Sequence, residues 1–450
     1  MLFNYGKAPG FILLVAVAAG AGVILTHRRY EGARPDLVLM THAKLHADVY
    51  LAKLPEFERR YGVKVDVQVV EQVALRTRLL AAFAAGTPVP DLVEIPQDAA
   101  VFLRGPIRDI GFLDLTRWVR ARGLDKKMVP ARFSMWQRKG VIFALPHDVH
   151  PVMLAYRADI VEDQLGIDVS RIETWDDFAA MARRIVRYGE DGRPARYALE
   201  LQDDGGYLLQ ALLLQRGVGL FDAAGHVTFD SDVAADTVAW AVRQLRGPNR
   251  IAYSLGFGPT LWEGMQDGLV LFYFAPDWRT RTIEEYAPSL AGKMKLMPLP
   301  AWGPGGRRTS TWGATGIAAT RGGRNPELAK KLMEFLYVDQ TDGGRSWAEL
   351  HILPAVRAAW SLPVFDAPDP FFRGQPILRL YSGLAPDVPP DYASPFITKA
   401  QNKRDNAFAA ASAYYAQHGE DGFPDFVRAE LRRQADAVRA VIARNQITEQ

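Results

Sequence analysis

Two pairs of histidines are the residues whose spacing most readily suggests chemistry. His42 and His46 are four positions apart, His147 and His150 are three apart, and together they make up half of the eight histidines. On one helix face such spacing can bring two imidazoles to a zinc ion. The chain lacks the glutamate of helical metalloproteases beside His42 and has no cysteine. Hydrogen bonds to a polar ligand and ordinary structural roles therefore compete with zinc, and we predict neither a metal site nor a cofactor.

Carboxylates offer a second chemical possibility, because glycoside hydrolases use two carboxyl groups on either side of the scissile bond. The candidates are Asp98, Asp148, Glu94 and the pair Asp203–Asp204. The chain lacks the eightfold strand–helix rhythm of the common enzyme barrel. It also has no G-x-S-x-G motif, phosphate-binding loop or dinucleotide-binding glycine pattern. Surface positions are an equally good interpretation of Asp203–Asp204.

Aromatic side chains at predicted strand ends favour a carbohydrate ligand. Trp278 and Arg279 follow the apolar run Leu269–Phe274, Trp312 precedes Gly313, and Tyr207 follows two glycines. Sugar C–H faces lie on aromatic rings, whereas carboxylates, amides and arginine bind the hydroxyls. Core packing stays an alternative for Trp278, as it does for Trp262.

The stretch Gly140–Ile160 predicts a crossing between two lobes. A short apolar strand, Val141–Leu145, leads into a polar cluster of His147, Asp148 and His150, and a second apolar run follows. Polar side chains held between two buried strands are typical of a binding cleft.

Composition and the N-terminus narrow the protein class. The 450 residues favour two to three domains, and the net charge of +3, without a basic cluster, argues against nucleic acid as a partner. Ala8–Thr26 is uncharged and largely apolar, which predicts a signal peptide or a short membrane anchor. Either interpretation places the rest of the chain at the membrane or beyond it.

The elements that carry these residues alternate between strands and helices. The order strand–helix–strand–helix–strand over Leu37–Ile95 predicts an α/β sheet that is mostly parallel. A second α/β region follows Val141–Leu145, and the chain after Gly343 is predicted to be mainly helical.

Eight segments along the chain resemble motifs of family-1 extracellular solute-binding proteins of ABC importers, the group that includes maltose-binding protein. LPEFERRYGVKV resembles the family's PEFEKKTGIKV, for example, and LPHDV with LAYRAD resembles LPYDV with LYYNKDL. The segments are Leu54–Val65, Gly86–Val93, Leu145–Val149, Leu154–Asp159, Thr174–Phe178, Phe221–Thr228, Gly313–Ala319 and Asn325–Leu336. Their shared order over about two thirds of the chain carries the resemblance. His147 replaces the family's usual tyrosine, and the lipid-anchoring cysteine is missing.

The resemblance implies a two-lobed periplasmic-binding-protein fold of type II, preceded by an N-terminal hydrophobic helix. We expect residues 1–35 to be the signal or anchor with its linker, 36–143 and 296–338 to form the first lobe, and 144–295 and 339–450 the second. By position in the family, the cleft would be lined by Thr41, His42, Gln97, Asp98, His147, Asp148, His150, Tyr207, Trp278, Arg279, Trp312 and Gly313.

The function that this implies is an extracytoplasmic receptor that is not an enzyme. It would bind a sugar or oligosaccharide between the lobes and deliver it to permease subunits driven by a separate ATPase. The membrane would be a partner if the N-terminal segment is uncleaved. A two-lobed carbohydrate-active enzyme and a receptor for polyamines or metals are the alternatives.

Overall fold

The protein is described here by a computed structural model, which covers residues 34–190, 194–339, 347 and 349–445. The hydrophobic segment Ala8–Thr26 lies outside these residues. Within the described ranges, no helix combines the length and the apolar character that crossing a membrane requires.

Among the described residues, the strands form two large sheets, one in each lobe, and one small hairpin. The first sheet has the order β2 (Val65–Val69), β1 (Leu37–Thr41), β3 (Leu92–Pro96), β13 (Thr315–Ala319) and β6 (Leu145–Pro146). The second has the order β10 (Ala252–Tyr253), β9 (Pro194–Glu200), β11 (Val270–Pro276), β7 (Val152–Arg157) and β12 (Met294–Pro298), with β8 (Arg187–Tyr188) beside β9. A small hairpin joins β4 (Gln137–Arg138) to β5 (Val141–Ile142).

Both sheets are mixed. Strand β1 runs parallel to β2 and β3, and β9 runs parallel to β10 and β11. Strands next to the lobe crossings, β13 and β7, run antiparallel to their neighbours because the chain enters each sheet there from the other lobe. The central strands β3, β7 and β11 are buried along their whole length, as expected for strands covered on both faces.

Helices cover the faces of these sheets. They are α1 (Lys44–Tyr61), α2 (Gln72–Ala85), α3 (Thr116–Ala121), α4 (Leu124–Lys127), α5 (Trp175–Ala182), α6 (Gly206–Gln215), α7 (Asp232–Arg246), α8 (Pro259–Gln266), α9 (Asp277–Tyr286), α10 (Pro326–Tyr337), α11 (Ile377–Leu384), α12 (Ile397–His418) and α13 (Phe423–Asn445). Short helices at Gln97–Leu103 and Pro130–Trp136 face the cleft from the first lobe.

Several helix ends follow local signals in the sequence. Thr174 and Asp177 form the predicted capping box of α5, in which each side chain bonds the other residue's backbone N–H. Helix α1 ends at Gly62, whose φ of 64° lies in the left-handed region that glycine adopts readily. Asn325 caps α10, and Pro326 occupies its first turn.

In the described parts of the chain, three segments join the lobes. Residues 147–151 connect β6 to β7, residues 299–314 connect β12 to β13, and a third segment around 351–356 leads from the first lobe toward α11. The segments are tied together: Val149 N–H donates to Leu353 O at 3.1 Å, and Ala355 N–H donates to His147 O at 3.1 Å. A bundle of adjacent crossings of this kind is suited to act as a hinge.

Strand pairing moves two of the lobe boundaries expected from the sequence. Strand β12 pairs with β7 from Met294 to Pro298, so residues 296–298 belong to the second sheet and not to the first. Strand β6 pairs with β13, so residues 145–146 belong to the first sheet. An apolar strand fits either sheet equally well, and the sequence pattern therefore cannot tell which sheet it enters.

Candidate functional site

A narrow pocket lies between the lobes, with a cavity volume of about 10 Å³, roughly the space of one water molecule. The residues that line it come from both lobes and from the second crossing: Gln97, Met135, Tyr207, Gln210, Thr311, Trp312, Gly313 and Asp391. Pockets for small molecules usually measure about 300–1,000 Å³. A ligand larger than a few atoms therefore enters only when the lobes stand further apart than they do here.

Aromatic rings border this pocket. Tyr207, at the start of α6, stacks on Trp312 with ring centroids 6.2 Å apart and planes 22° apart. The ring of Phe257 meets Trp312 edge-on at 5.8 Å, and Trp278 does so at 5.4 Å. Tyr207 and Phe257 are 41% and 54% exposed, whereas Trp312 is buried. Exposed rings at a pocket rim leave apolar faces available to a ligand.

Arg279 lies beneath these rings and fixes their positions. Its guanidinium is fully buried, donates to both carboxylate oxygens of Glu200 at 3.0 and 3.1 Å, and lies 5.3 Å from the Trp312 centroid and 5.4 Å from that of Phe257. Such a bidentate pair holds the cation rigidly, so that it supports the rings through cation–π contacts.

Asp391 is the acidic side chain of the pocket. Its Oδ2 accepts a hydrogen bond from Gln210 Nε2 at 2.8 Å, and its backbone bonds Ser134 of the first lobe. Its Oδ1 is buried and has no hydrogen-bond partner among the described residues. Burial raises the pKa of Asp391 to about 6, against the opposing charge of Arg132. A buried acceptor of this kind is ready to receive a donor from a ligand.

Behind the pocket, the first crossing is held by a buried charge network. Asp148 Oδ2 lies 3.0 Å from both His147 Nδ1 and His150 Nε2, and His150 Nδ1 lies 2.5 Å from Asp277 Oδ1. Burial opposes charge at His150, yet the adjacent Asp148 and Asp277 raise its pKa to about 9. Burial also opposes charge at Asp148, but His150 and His147 hold its pKa well below the ordinary value. Both groups are therefore charged at neutral pH.

Arg132 ties the crossings to the first lobe. Its Nε donates to Asp148 O at 3.1 Å, Nη1 to Thr311 Oγ1 at 2.8 Å and Nη2 to Gly313 O at 2.8 Å. One buried guanidinium therefore bonds both the first and the second crossing, because its fork of donors can reach several acceptors at once.

Glu94, on β3, gathers a second set of polar groups. Its carboxylate accepts hydrogen bonds from Thr41, Tyr50 and Tyr337 hydroxyls, and Oε1 lies 2.9 Å from His46 Nδ1. Burial favours the neutral acid, but the charge and hydrogen bond of His46 outweigh it and lower the pKa of Glu94.

The residues expected at the cleft fall into three groups. Gln97, Tyr207, Trp312 and Gly313 line the pocket. Thr41, His147, Asp148 and His150 are buried in the networks behind it, with His42 half-buried beside them; Trp278 and Arg279 pack against Trp312. The side chain of Asp98 lies outside the part of the chain that the structure describes. Of the other carboxylates considered for acid–base chemistry, Glu94 is fully buried and Asp203 and Asp204 are exposed.

Sequence reasoning missed Met135, Gln210, Thr311 and Asp391 of the pocket lining, and also Phe257 and Arg132 beside it. Phe257 and Asp391 lie in loops without a recognisable motif, and Arg132 lies in a short helix. Gln210 carried a usable signal, since it is a polar residue within the apolar run of α6 and is buried there.

Comparison with known proteins places this geometry in a family. The two lobes match the sugar-binding protein MalE of Xanthomonas citri with a TM-score of 0.71 at 19% identity, covering 92% of this chain and 99% of that one. They also match a binding protein from B. animalis subsp. lactis, solved with beta-1,6-galactobiose, with a TM-score of 0.65 at 19% identity, covering 90% of this chain and 97% of that one. At such identity these likenesses establish the two-lobed α/β fold, as the sequence predicted.

Two relatives and a family model also match this chain at the level of sequence. The arabinooligosaccharide-binding protein of Halalkalibacterium halodurans is 25% identical over 350 residues, which is 76% of each chain. The protein of the same name in Bacillus subtilis is 24% identical over 401 residues, covering 87% of this chain and 90% of that one. The model for bacterial extracellular solute-binding proteins matches residues 43–342. The chain therefore belongs to the family of bacterial extracellular solute-binding proteins.

Proposed function

We propose that the protein is the extracytoplasmic receptor of an ABC importer and that it binds an oligosaccharide between its lobes. The family supports solute binding outside the cytoplasm, and two relatives that cover most of the chain are named for arabinooligosaccharides. The proposal includes two partners. The protein would release its ligand to permease subunits served by a separate ATPase, and its N-terminal segment, if uncleaved, would tether it to the membrane.

The observation that carries the proposal is the pairing of Asp391 with exposed aromatic rings at one pocket. Asp391 Oδ1 is a buried acceptor with no donor among the described residues. The exposed ring of Tyr207 lines the same pocket, and the exposed ring of Phe257 contacts Trp312 in the pocket wall. A sugar supplies both complements, since its hydroxyls donate to a carboxylate and its C–H faces lie on aromatic rings.

The number of rings favours an oligosaccharide over a monosaccharide. The rings of Tyr207 and Phe257 both contact that of Trp312, and Tyr207 and Phe257 are partly exposed to solvent. Together they offer a longer apolar surface than one sugar ring covers, so successive units of a chain would each have a ring to contact. Gln97 and Gln210 face the same space and would bind hydroxyls through their amide groups.

Binding would proceed by closure of the hinge. Gln97 and Met135 belong to the first lobe, whereas Tyr207 and Gln210 belong to the second, and all four line one pocket. A ligand that touches both sets is bound more tightly when the lobes are together, and this difference in affinity shifts the population toward the closed state.

A thermal-shift screen tests the proposal. Arabinan-, galactan- and starch-derived oligosaccharides and their monosaccharides are added to the protein, and each mixture is then analysed by chromatography. We expect one class of oligosaccharide to raise the melting temperature and to be recovered unchanged. Recovery of shorter products would support the carbohydrate-active enzyme instead, and stabilisation by polyamines alone would contradict the carbohydrate ligand.

A further inference from the structure

We propose that His46, Glu94 and His147 form a zinc site behind the pocket, a role that goes beyond the proposed function. One donor atom from each of these three buried residues lies within 4.8 Å of the other two. They come from α1, from β3 and from the first crossing. The site takes one histidine from each pair that stands out in the sequence and adds a carboxylate.

The strongest indication is an unused nitrogen on His147. Its Nδ1 lies 3.0 Å from Asp148 Oδ2, while its Nε2 is buried and has no hydrogen-bond partner among the described residues. The side chain is only 2% exposed. A buried polar atom left without a partner is costly, and a metal ion would use this lone pair.

The surroundings of His147 prepare it as a ligand. The carboxylate of Asp148 accepts from Nδ1–H, which leaves the lone pair on Nε2. A carboxylate that orients a histidine ligand in this way is the usual outer partner of a zinc-bound imidazole.

Glu94 and His46 supply the other two donors. Zinc binds imidazole nitrogen at about 2.0–2.1 Å and carboxylate oxygen at about 2.0–2.2 Å. The 2.9 Å between His46 Nδ1 and Glu94 Oε1 is short enough for both atoms to reach one ion. Hydroxyls of Thr41, Tyr50 and Tyr337 hold the Glu94 carboxylate in place, and two histidines with one carboxylate is a familiar zinc-binding set.

His42 lies beside this site. It is half-buried at the loop after β1, and its ring lies 6.2 Å from that of His46. Its Nδ1 is also buried without a hydrogen-bond partner in the described parts of the chain. His42 is not among the three residues whose donor atoms lie within 4.8 Å of one another, so the fourth ligand of a four-coordinate zinc would be a solvent molecule.

The test measures zinc binding by tag-free, chelator-treated protein in the absence of sugar. Calorimetry with zinc chloride is expected to give one site per chain. His147→Ala removes a zinc ligand and should weaken zinc binding by about 100-fold or more. Asp148→Asn removes the carboxylate that orients His147 and should weaken zinc binding by about 10–100-fold. The control is His351→Ala, which removes a histidine near Glu284 and Asp369 and should leave zinc affinity unchanged.

A spectroscopic measurement on the unaltered chain covers the case in which a variant fails to fold. Cobalt(II) is expected to give the intense visible bands of four-coordinate nitrogen and oxygen ligation, and zinc should abolish them. The inference is overturned by absence of stoichiometric zinc binding, by octahedral cobalt spectra, or by loss of the site in His351→Ala instead of His147→Ala. None of these results bears on sugar binding, which is measured separately.

Discussion

Asp391 combines its proposed role in ligand binding with a position that disfavours its charged form. Its carboxyl group is buried between the lobes, and burial raises its pKa to about 6. Above that pH the folded protein holds a charge with one unused acceptor oxygen, Oδ1. Donors from a ligand would satisfy this oxygen, so part of the binding free energy would come from removing a defect of the unliganded site.

This position makes sugar affinity depend on pH. The folded-state pKa of Asp391 lies above its ordinary value of 3.8, so the carboxylate that would accept hydrogen bonds from sugar hydroxyls is present above about pH 6 and is lost below it. We expect calorimetric affinity to fall as the pH is lowered from 7.5 to 5. In Asp391→Asn the affinity at pH 7.5 should be weaker and the pH profile flatter; an unaltered profile would contradict the assignment.

Phe257 allows the aromatic contribution to be measured without disturbing the core, because its ring is 54% exposed. Phe257→Ala should weaken oligosaccharide binding by about 1–3 kcal/mol, as for the loss of an aromatic anchor, with little change in melting temperature. Tyr286→Ala is the matched control, since Tyr286 is equally exposed and stacks on Trp262 at the far end of α9. Equal affinities for the two variants would exclude Phe257 from the site.

At the scale of elements, the crossings determine how the pocket is shaped. His150 adopts a φ of 53°, an uncommon conformation for a residue other than glycine, and its imidazole is held between Asp148 and Asp277. Gly313, on the second crossing, approaches the same imidazole: a Cβ there would lie 3.0 Å from His150 Cδ2 and 3.2 Å from Trp278 Nε1. Close approach of the two crossings therefore requires glycine.

Gly313→Ala should consequently destabilise the fold. The residue has a φ of 100°, which alanine adopts only with strain, and the added methyl group would press on His150 and Trp278. We expect the free energy of unfolding in urea to fall by about 2 kcal/mol or more. Gly303→Ala, on the same crossing, is the control, because nothing lies within 4 Å of its Cβ position. Equal free energies of unfolding for Gly313→Ala and Gly303→Ala would contradict the claim that the crossings require glycine at position 313.

Local sequence patterns predicted where the crossings and strands lie better than they predicted which strands and side chains these elements contact. The polar stretch at His147–His150 was predicted as a crossing because it interrupts two apolar runs, and the structure has it between β6 and β7. The pairing of β12 with the second sheet was missed, because its apolar pattern fits either sheet. The polar partners of the first crossing, such as Arg132 at Asp148 and Asp277 at His150, depend on tertiary contacts that no local spacing encodes.

At the scale of the whole molecule, the two lobes come together over a pocket whose walls are supplied by both. Asp391 is 181 residues from Gln210 in sequence, yet their side chains bond at 2.8 Å. Motifs in shared order predicted the fold and the family, since both follow from the succession of elements. The pocket carboxylate was not predicted, because the C-terminal segment that supplies it has no counterpart among those motifs.

The central claim is that the closed lobes retain an oligosaccharide without altering it, and calorimetric titration with arabinotriose and arabinose at pH 7.5 tests it most directly. We predict a single site per chain for arabinotriose, weaker or undetectable binding of arabinose, and full recovery of the trisaccharide by chromatography. Absence of binding by any arabinose oligomer, equal affinity for arabinose and arabinotriose, or cleavage of the trisaccharide would contradict the account.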